Sequence, residues 1–321
     1  TTGTNNTALG ARALQSNTTA ANNTAVGDLS LGANTTGTGN TAVGVQALDA
    51  VTTGNYNTGM GVQAGDKLTG SRNTLIGHEA GFGIAASDDC VAVGKNTLQG
   101  TSDADDNTAI GYAAMQDCTT GYSNTAVGMA AFTDITTGYQ NTAVGQQAGT
   151  AMTTAVRNTF IGEDAGYNHT TGADNTYVGK NAGSGSTTGA SNVFVGKDAG
   201  DSTTTGSKNI MIGQNTNNNS GATSDHSIVI GHDIANDSNY FTFGKASNIV
   251  YNNFTANNNW TYNSDARLKT DVQDSTLGLS FIDSLRPVTY KWKKSQDLDS
   301  SDPHMASVYD PDKNRMDSDT I

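Results

Sequence analysis

The chain has 321 residues, 35% of them hydrophobic, with 38 glycines, three prolines and a formal net charge of −13. An acidic surface offers no phosphate-binding footprint, which argues against nucleic acid as a partner, and no apolar run is long enough for a membrane span. The low apolar content leaves a single chain little core, so association of several chains is expected to bury what remains.

From the N-terminus onward an aliphatic residue followed by glycine recurs at Gly10, Gly27, Gly44, Gly61, Gly77, Gly94, Gly111, Gly128, Gly145, Gly162, Gly179, Gly196, Gly213 and Gly231. The intervals are 17 residues, with one of 16 and one of 18. A period in that range means stacked structural repeats, each forming one rung of a solenoid. The unit is too rich in Thr, Asn and Gly for an amphipathic helix, and its Thr-Ala-Val core alternates like a strand. The expected fold is therefore all-β: a parallel β-solenoid or β-roll of about fourteen rungs over residues 1–234, each of two short strands and two turns. Prolines occur only at Pro287, Pro303 and Pro311, which suits an uninterrupted hydrogen-bonded ladder before them. Thr-Thr-Gly triplets such as Thr35-Thr36-Gly37 and Thr119-Thr120-Gly121 read as turns in which glycine permits positive φ.

Within each rung, asparagine stands four residues before the repeat glycine in twelve of fourteen copies; Cys90 and Ser227 replace it. Stacking places these amides in one column, where they can hydrogen-bond along the rod. The residue two before the glycine is small through most of the first half, with Leu75 the exception, and then becomes Phe160, Tyr177, Phe194, Met211 and Val229. Two readings fit: packing, with larger side chains filling a gap where neighbouring chains separate, or an exposed aromatic stripe that binds a ligand. Packing is favoured.

Other features point to little chemistry. Cys90 and Cys118 lie at different points of their rungs and read as small buried or turn residues rather than a disulfide. His226 and His232 flank one strand without a third repeating ligand, so neither a metal site nor a cofactor is expected. Asp103, Asp105 and Asp106 read as a solvated acidic turn. A glycan-cleaving site would need paired carboxylates across a groove, and the chain has two glutamates, Glu79 and Glu163, and no consistent aspartate column. Ice binding is disfavoured because Thr24, Thr41 and Thr58 have no second in-face threonine. Tyr122 and Tyr139 occupy equivalent turn positions that could stack on sugars.

After Ile234 the period is lost. Residues 235–263, rich in Asn and aromatics, read as a β transition segment. From Ser264 the composition changes again, with Trp292, the prolines and a lysine cluster. The strings Ser264-Asp265-Ala266-Arg267-Leu268-Lys269, Leu277-Gly278-Leu279-Ser280-Phe281-Ile282 and Leu285-Arg286-Pro287-Val288-Thr289-Tyr290-Lys291-Trp292 resemble the C-terminal intramolecular chaperone and auto-processing domain of phage tail spikes and fibres, the endosialidase type. The resemblance covers residues 264–321 and implies the N-terminal part of an α+β chaperone domain, with its later part missing after Ile321. It also implies a Ser264–Lys269 dyad that cuts the chain before Ser264. The chemistry is self-cleavage without substrate turnover: a serine hydroxyl becomes a nucleophile once a base takes its proton, and a lysine of lowered pKa can serve.

The repeats resemble the heads of trimeric autotransporter adhesins, with Val91-Ala92-Val93-Gly94 nearest to that family's motif. That resemblance implies a homotrimer. Near-identical rungs specify inter-chain register weakly, and parallel non-local pairing nucleates slowly. A trimeric chaperone would align the chains at zero offset, and its removal would trap the rod kinetically. The expected protein is the structural shaft of a phage tail fibre or spike for host attachment, located on the virion tail. Its partners would be two further copies, a host glycan or surface protein, and an upstream tail or baseplate protein; the first residues read as the turn of a preceding rung. The alternative is a cell-surface trimeric adhesin.

Overall fold

The computed structural model describes residues 2–100, 103–219, 223–255 and the backbone of 261–262. Contacts divide the chain into the units 1–263 and 264–321, and the described residues all belong to the first.

Residues 2–245 form a parallel β-solenoid of about fourteen full turns, all-β throughout. Thirteen three-residue strands, β1 to β13, run in chain order from Thr7–Leu9 to Ile210–Ile212. Each pairs with the next in parallel, one repeat apart: Ala25 opposes Ala42, and Phe160 opposes Tyr177. One strand per rung is observed where two were expected. The rest of the rung is a chain of turns, because residues two and four after the repeat glycine take left-handed φ. Leu29 and Leu31 stand at 56° and 47°, and Ala130 and Phe132 at 55° and 51°. Such conformations cost side-chain-bearing residues about 1–2 kcal/mol each. Here hydrogen bonds to the neighbouring rungs hold them, as in Leu31 N–H to Ala47 O (3.0 Å) and Leu29 N–H to Ala11 O (3.1 Å). A second strand forms only near the end, where Thr216–Asn218 (β14) pairs with Ile234–Asn236 (β16).

The strand alternates as Thr-Ala-Val requires. From β2 to β13 its middle residue points into the rung and is fully buried, whereas the flanking residues face out; in the terminal β1 all three residues are exposed. The Phe160, Tyr177, Phe194, Met211 and Val229 column is consequently inside, each residue 0% exposed. This overturns the exposed-stripe reading. It also corrects the packing reading: these side chains fill the interior of their own chain, not a space between chains. Phe160 stacks on Tyr177 with ring centroids 4.9 Å apart, and Tyr177 on Phe194 at 4.8 Å.

Glycine serves two different purposes. At the repeat position φ lies near 135°, as at Gly27 and Gly162, a region only glycine enters readily; a Cβ on Gly27 would also strike the backbone of Gly44. The Thr-Thr-Gly glycines, by contrast, are not at positive φ, contrary to expectation. Gly37 and Gly121 are needed because a Cβ there would collide with the carbonyl oxygens of Gly54 and Gly138 in the next rung.

The asparagine column is realised as a ladder of buried amides. The Oδ1 of Asn23 accepts the backbone N–H of Asn40 (2.8 Å), and the Oδ1 of Asn40 accepts that of Asn57 (2.9 Å). The Asn40 Nδ2 donates to the Gly54 carbonyl at 2.8 Å. The links are thus largely side chain to main chain. Each asparagine satisfies groups in the following rung that no strand partner reaches, which is why burying it is tolerable.

Stacking does not end at the last full repeat. Ile228–His232 (β15) follows β13 in the sheet, and Tyr240–Lys245 (β17) adds to it in parallel, with Gly231 opposite Gly244. A shortened turn of 13 residues separates these two glycines. Asn248–Asn253 (β18) then reverses direction against β17, and Thr261–Tyr262 (β19) continues antiparallel.

Candidate functional site

Two surfaces and one sequence segment carry what this chain can do. The first surface is the outer face of the sheet. The aliphatic residue before each repeat glycine points outward, and the exposed ones include Met60 at 43%, Ile110 at 38%, Ile161 at 39% and Ile230 at 38%. Threonine two residues earlier shares that face in most rungs, as at Thr24, Thr108 and Thr159. Beside it, Val45, Val62, Tyr112 and Met129 are exposed just after their glycines. The result is an apolar ridge along the rod.

The second surface is the turn side. There Arg72 pairs with Asp88 and Asp89 at 3.1 and 2.7 Å, and Arg157 with Asp174 at 2.7 Å, whereas the Lys180–Glu163 pair at 2.9 Å lies in the column just after the repeat glycines, beside the ridge. Asp89 and Asp174 are held below the ordinary carboxylate range chiefly by hydrogen bonds from those arginines. Asp49, Asp66 and Asp134 are raised, first by desolvation and then by neighbours, which include Asp28, Asp49 and Asp117 respectively. Tyr122 and Tyr139 stack on each other, centroids 4.9 Å apart and planes within 2°. Their facing surfaces are spent on one another, which leaves ring edges and outer faces.

Buried reactive groups are inert. Burial pushes the Cys90 thiol up to about 12 and the Cys118 thiol to about 11, so neither is a thiolate nucleophile. Both are free thiols; Cys90 stands in the asparagine column and donates to the Ala104 carbonyl at 2.9 Å. His169 lies in the core against Phe160 and Tyr177. Its Nε2 is 2.9 Å from the Gly172 carbonyl and its Nδ1 3.4 Å from the Ser186 hydroxyl. Burial lowers its pKa to about 4, against a weaker upward pull from the Gly172 carbonyl. No sequence signal marked this histidine; its position seven after Gly162, in a column shared with Met152 and Ile135, shows that it replaces a core residue. Among the described residues no group of three or more His, Cys, Asp or Glu is placed to hold a metal ion.

Ser264 and Lys269 lie outside the described residues. Residues 264–306 match the family described as chaperone of endosialidase, and that span contains all three strings, from Ser264 to Trp292. The chain is thus a parallel β-solenoid followed by a segment that matches the model of this chaperone family, an arrangement consistent with phage tail fibres and spikes. No curated protein and no solved structure matches the chain.

Proposed function

We propose that this chain is the shaft of a phage tail fibre or spike used for host attachment, assembled as a homotrimer under the direction of its C-terminal segment. The observation that carries this reading is the outward aliphatic ridge. At roughly 60 Å² of exposed surface per side chain, fourteen repeats amount to about 800 Å², one side of a standard protein interface. That exceeds the largest apolar patch of a typical soluble monomer. A face of one composition repeated on every rung suits identical partners in parallel, so the occupants are two more copies of this chain.

Such an interface gives no fixed register, and the chaperone segment supplies it. In the proposed processing step the Ser264 Oγ attacks the Asn263 carbonyl carbon while Lys269 takes the hydroxyl proton. The Oγ–C bond forms, the C–N bond breaks, and the leaving amine of Ser264 is protonated. Water then hydrolyses the ester and frees the Asn263 carboxylate. In this reading the mature shaft, freed of the nucleus that aligned it, is carried on the virion tail.

The test is sedimentation together with intact mass of the wild type and Ser264→Ala. A trimer cut before Ser264 in the wild type alone supports the assembly and processing on which the reading rests. An uncut trimer leaves the segment as a retained cap and favours a cell-surface adhesin. A monomer of the wild type and of Ser264→Ala overturns the proposal.

A further inference from the structure

On the turn side of the solenoid a cleft of about 360 Å³ is lined by Gln147, Asp164, Tyr167, Asn168, Asn181 and Ser184. Gln147, Asp164 and Asn181 are equivalent residues of three successive rungs, each at a left-handed φ of 56–57°, so their polar ends form one wall at rung spacing. Tyr167 stands in the facing column between Thr150 and Ser184. A large ring between two small neighbours leaves a step on the surface, and the step is the cleft.

The lining reads as the negative of a sugar. It offers carboxamides that both donate and accept, a carboxylate, a hydroxyl and a phenol. Two amides are held in place by one N–H each: Asn168 Nδ2 donates to the Ser184 carbonyl at 2.9 Å, and Asn181 Nδ2 to the Asp198 carboxylate at 2.8 Å. Their remaining capacity is available to a ligand. Neither the Asp164 carboxylate nor the Tyr167 hydroxyl is engaged by another side chain among the described hydrogen bonds. The lining contains no cation, and nearby Lys180 is bound to Glu163 at 2.9 Å, which disfavours anions. One aromatic ring among polar groups suits the C–H face of a pyranose better than a wholly apolar guest. The volume lies at the small end of ligand sites, enough for one or two sugar rings.

We propose that this cleft is a carbohydrate subsite that takes a neutral hexose unit, with Tyr167 under the ring and Asp164, Gln147 and Asn181 on its hydroxyls. The assignment rests on the attachment reading for its setting, not for its geometry. The test is saturation-transfer NMR on the full chain with maltose, lactose, cellobiose and N,N′-diacetylchitobiose, with sialyllactose as the anionic comparison. Tyr167→Ala and Asp164→Ala are measured alongside, and circular dichroism and sedimentation check that both stay folded. The expected result is millimolar binding of at least one neutral disaccharide, weakened at least about tenfold by each substitution. No binding across the neutral panel, binding that survives both substitutions, or preference for sialyllactose overturns the proposal. Oligomeric state is read separately, so a monomer that binds sugar sinks the shaft reading and leaves this one standing.

Discussion

Two stretches of the solenoid share one backbone and fill it in opposite ways. In the rungs of Gly27 and Gly44 the strand gives a small residue, Ala25 or Ala42, and the turn gives Leu31 or Leu48. In the rungs of Gly162, Gly179 and Gly196 the strand gives Phe160, Tyr177 or Phe194, and the equivalent turn position is Gly166, Gly183 or Gly200. Each of these five rungs thus holds one large side chain and one small at the two positions, at near-constant volume, as a close-packed interior demands. The second arrangement also relaxes the backbone: Gly183 adopts at no steric cost the left-handed φ, 60°, that Leu31 holds at 47°. Moving the bulk onto the strand lets rings of adjacent rungs stack face to face, which leucines in turns do not do.

The largest effect is expected from forcing one arrangement on top of the other. A Cβ on Gly183 would lie 2.6 Å from two carbons of the Tyr177 ring. Gly183→Leu therefore combines overpacking with left-handed strain, and should cost about 4 kcal/mol. Tyr177→Ala alone should cost about 3–5 kcal/mol as a cavity. The double variant restores the Ala-plus-Leu rung of the first stretch, so it should be more stable than the sum of the two by about 2 kcal/mol or more. Chemical denaturation of the four proteins measures that coupling; strict additivity would mean that the exchange of volume is coincidental.

What the two stretches share is the amide ladder. Asn40 is bonded to Asn57 N–H and Gly54 O, and Asn175 to Asn192 N–H and Gly189 O, all at 2.8–2.9 Å. Alanine at either position orphans a buried N–H and a carbonyl, at about 3 kcal/mol in total. The costs should agree between Asn40→Ala and Asn175→Ala within about 0.5 kcal/mol, although one sits among leucines and the other among aromatics. A clear difference in denaturation midpoints would show that the core, rather than the ladder, fixes rung-to-rung cohesion.

Much of this was legible in the sequence because a repeat makes columns visible. The period, the asparagine ladder and the absence of proline all report backbone stacking, which depends on every rung alike. The single-strand rung was hidden, since nothing about Leu31 or Gln46 announces a left-handed φ; only the stack compels it. The Thr-Thr-Gly glycines were assigned to turn geometry, whereas clearance to the next rung selects them, a constraint between repeats and not within one. The shortened last turn escaped because Phe243-Gly244 follows Gly231 by 13 residues instead of 17. At the C-terminus the Ser264 and Lys269 assignment rests on a linear motif, which needs no fold to be read. The cleft at Tyr167 was not legible, because it arises from differences in size along a column.

His169 distinguishes the aromatic stretch chemically. Its folded pKa of about 4 lies below the unfolded value of 6.5, so between these the unfolded chain binds the extra proton. Stability is full above about pH 6.5 and falls as pH drops toward 4. The loss should reach about 2 kcal/mol at pH 5. Protonation adds charge among Phe160, Tyr177 and Ser186, none of which can compensate it. Protection factors, which take out the intrinsic slowing of exchange at lower pH, should therefore fall at pH 5 in the rungs around His169 and not in those of Gly27 and Gly44, since repeat arrays open locally. His169→Met, which copies the residue that Met152 supplies in the preceding rung, should flatten the dependence.

The smallest effect is a gain, and it tests the ladder where nature has broken it. Cys90 receives the Asn73 Oδ1 on its own N–H at 2.9 Å but has no amide oxygen to offer Asn107 in the next rung. Its thiol reproduces only the bond to the turn, at the Ala104 carbonyl, with a weaker donor than an amide. Cys90→Asn should restore both links and stabilise the protein by about 1 kcal/mol, read as a shift in denaturation midpoint at unchanged slope. The column accommodates asparagine on either side, at Asn73 and Asn107, each at 0–1% exposure, so the space is already of the right size. A loss of stability would mean that the Gly94 rung has adapted to sulfur, and that the ladder is held by local packing around each side chain rather than by the amide bonds themselves.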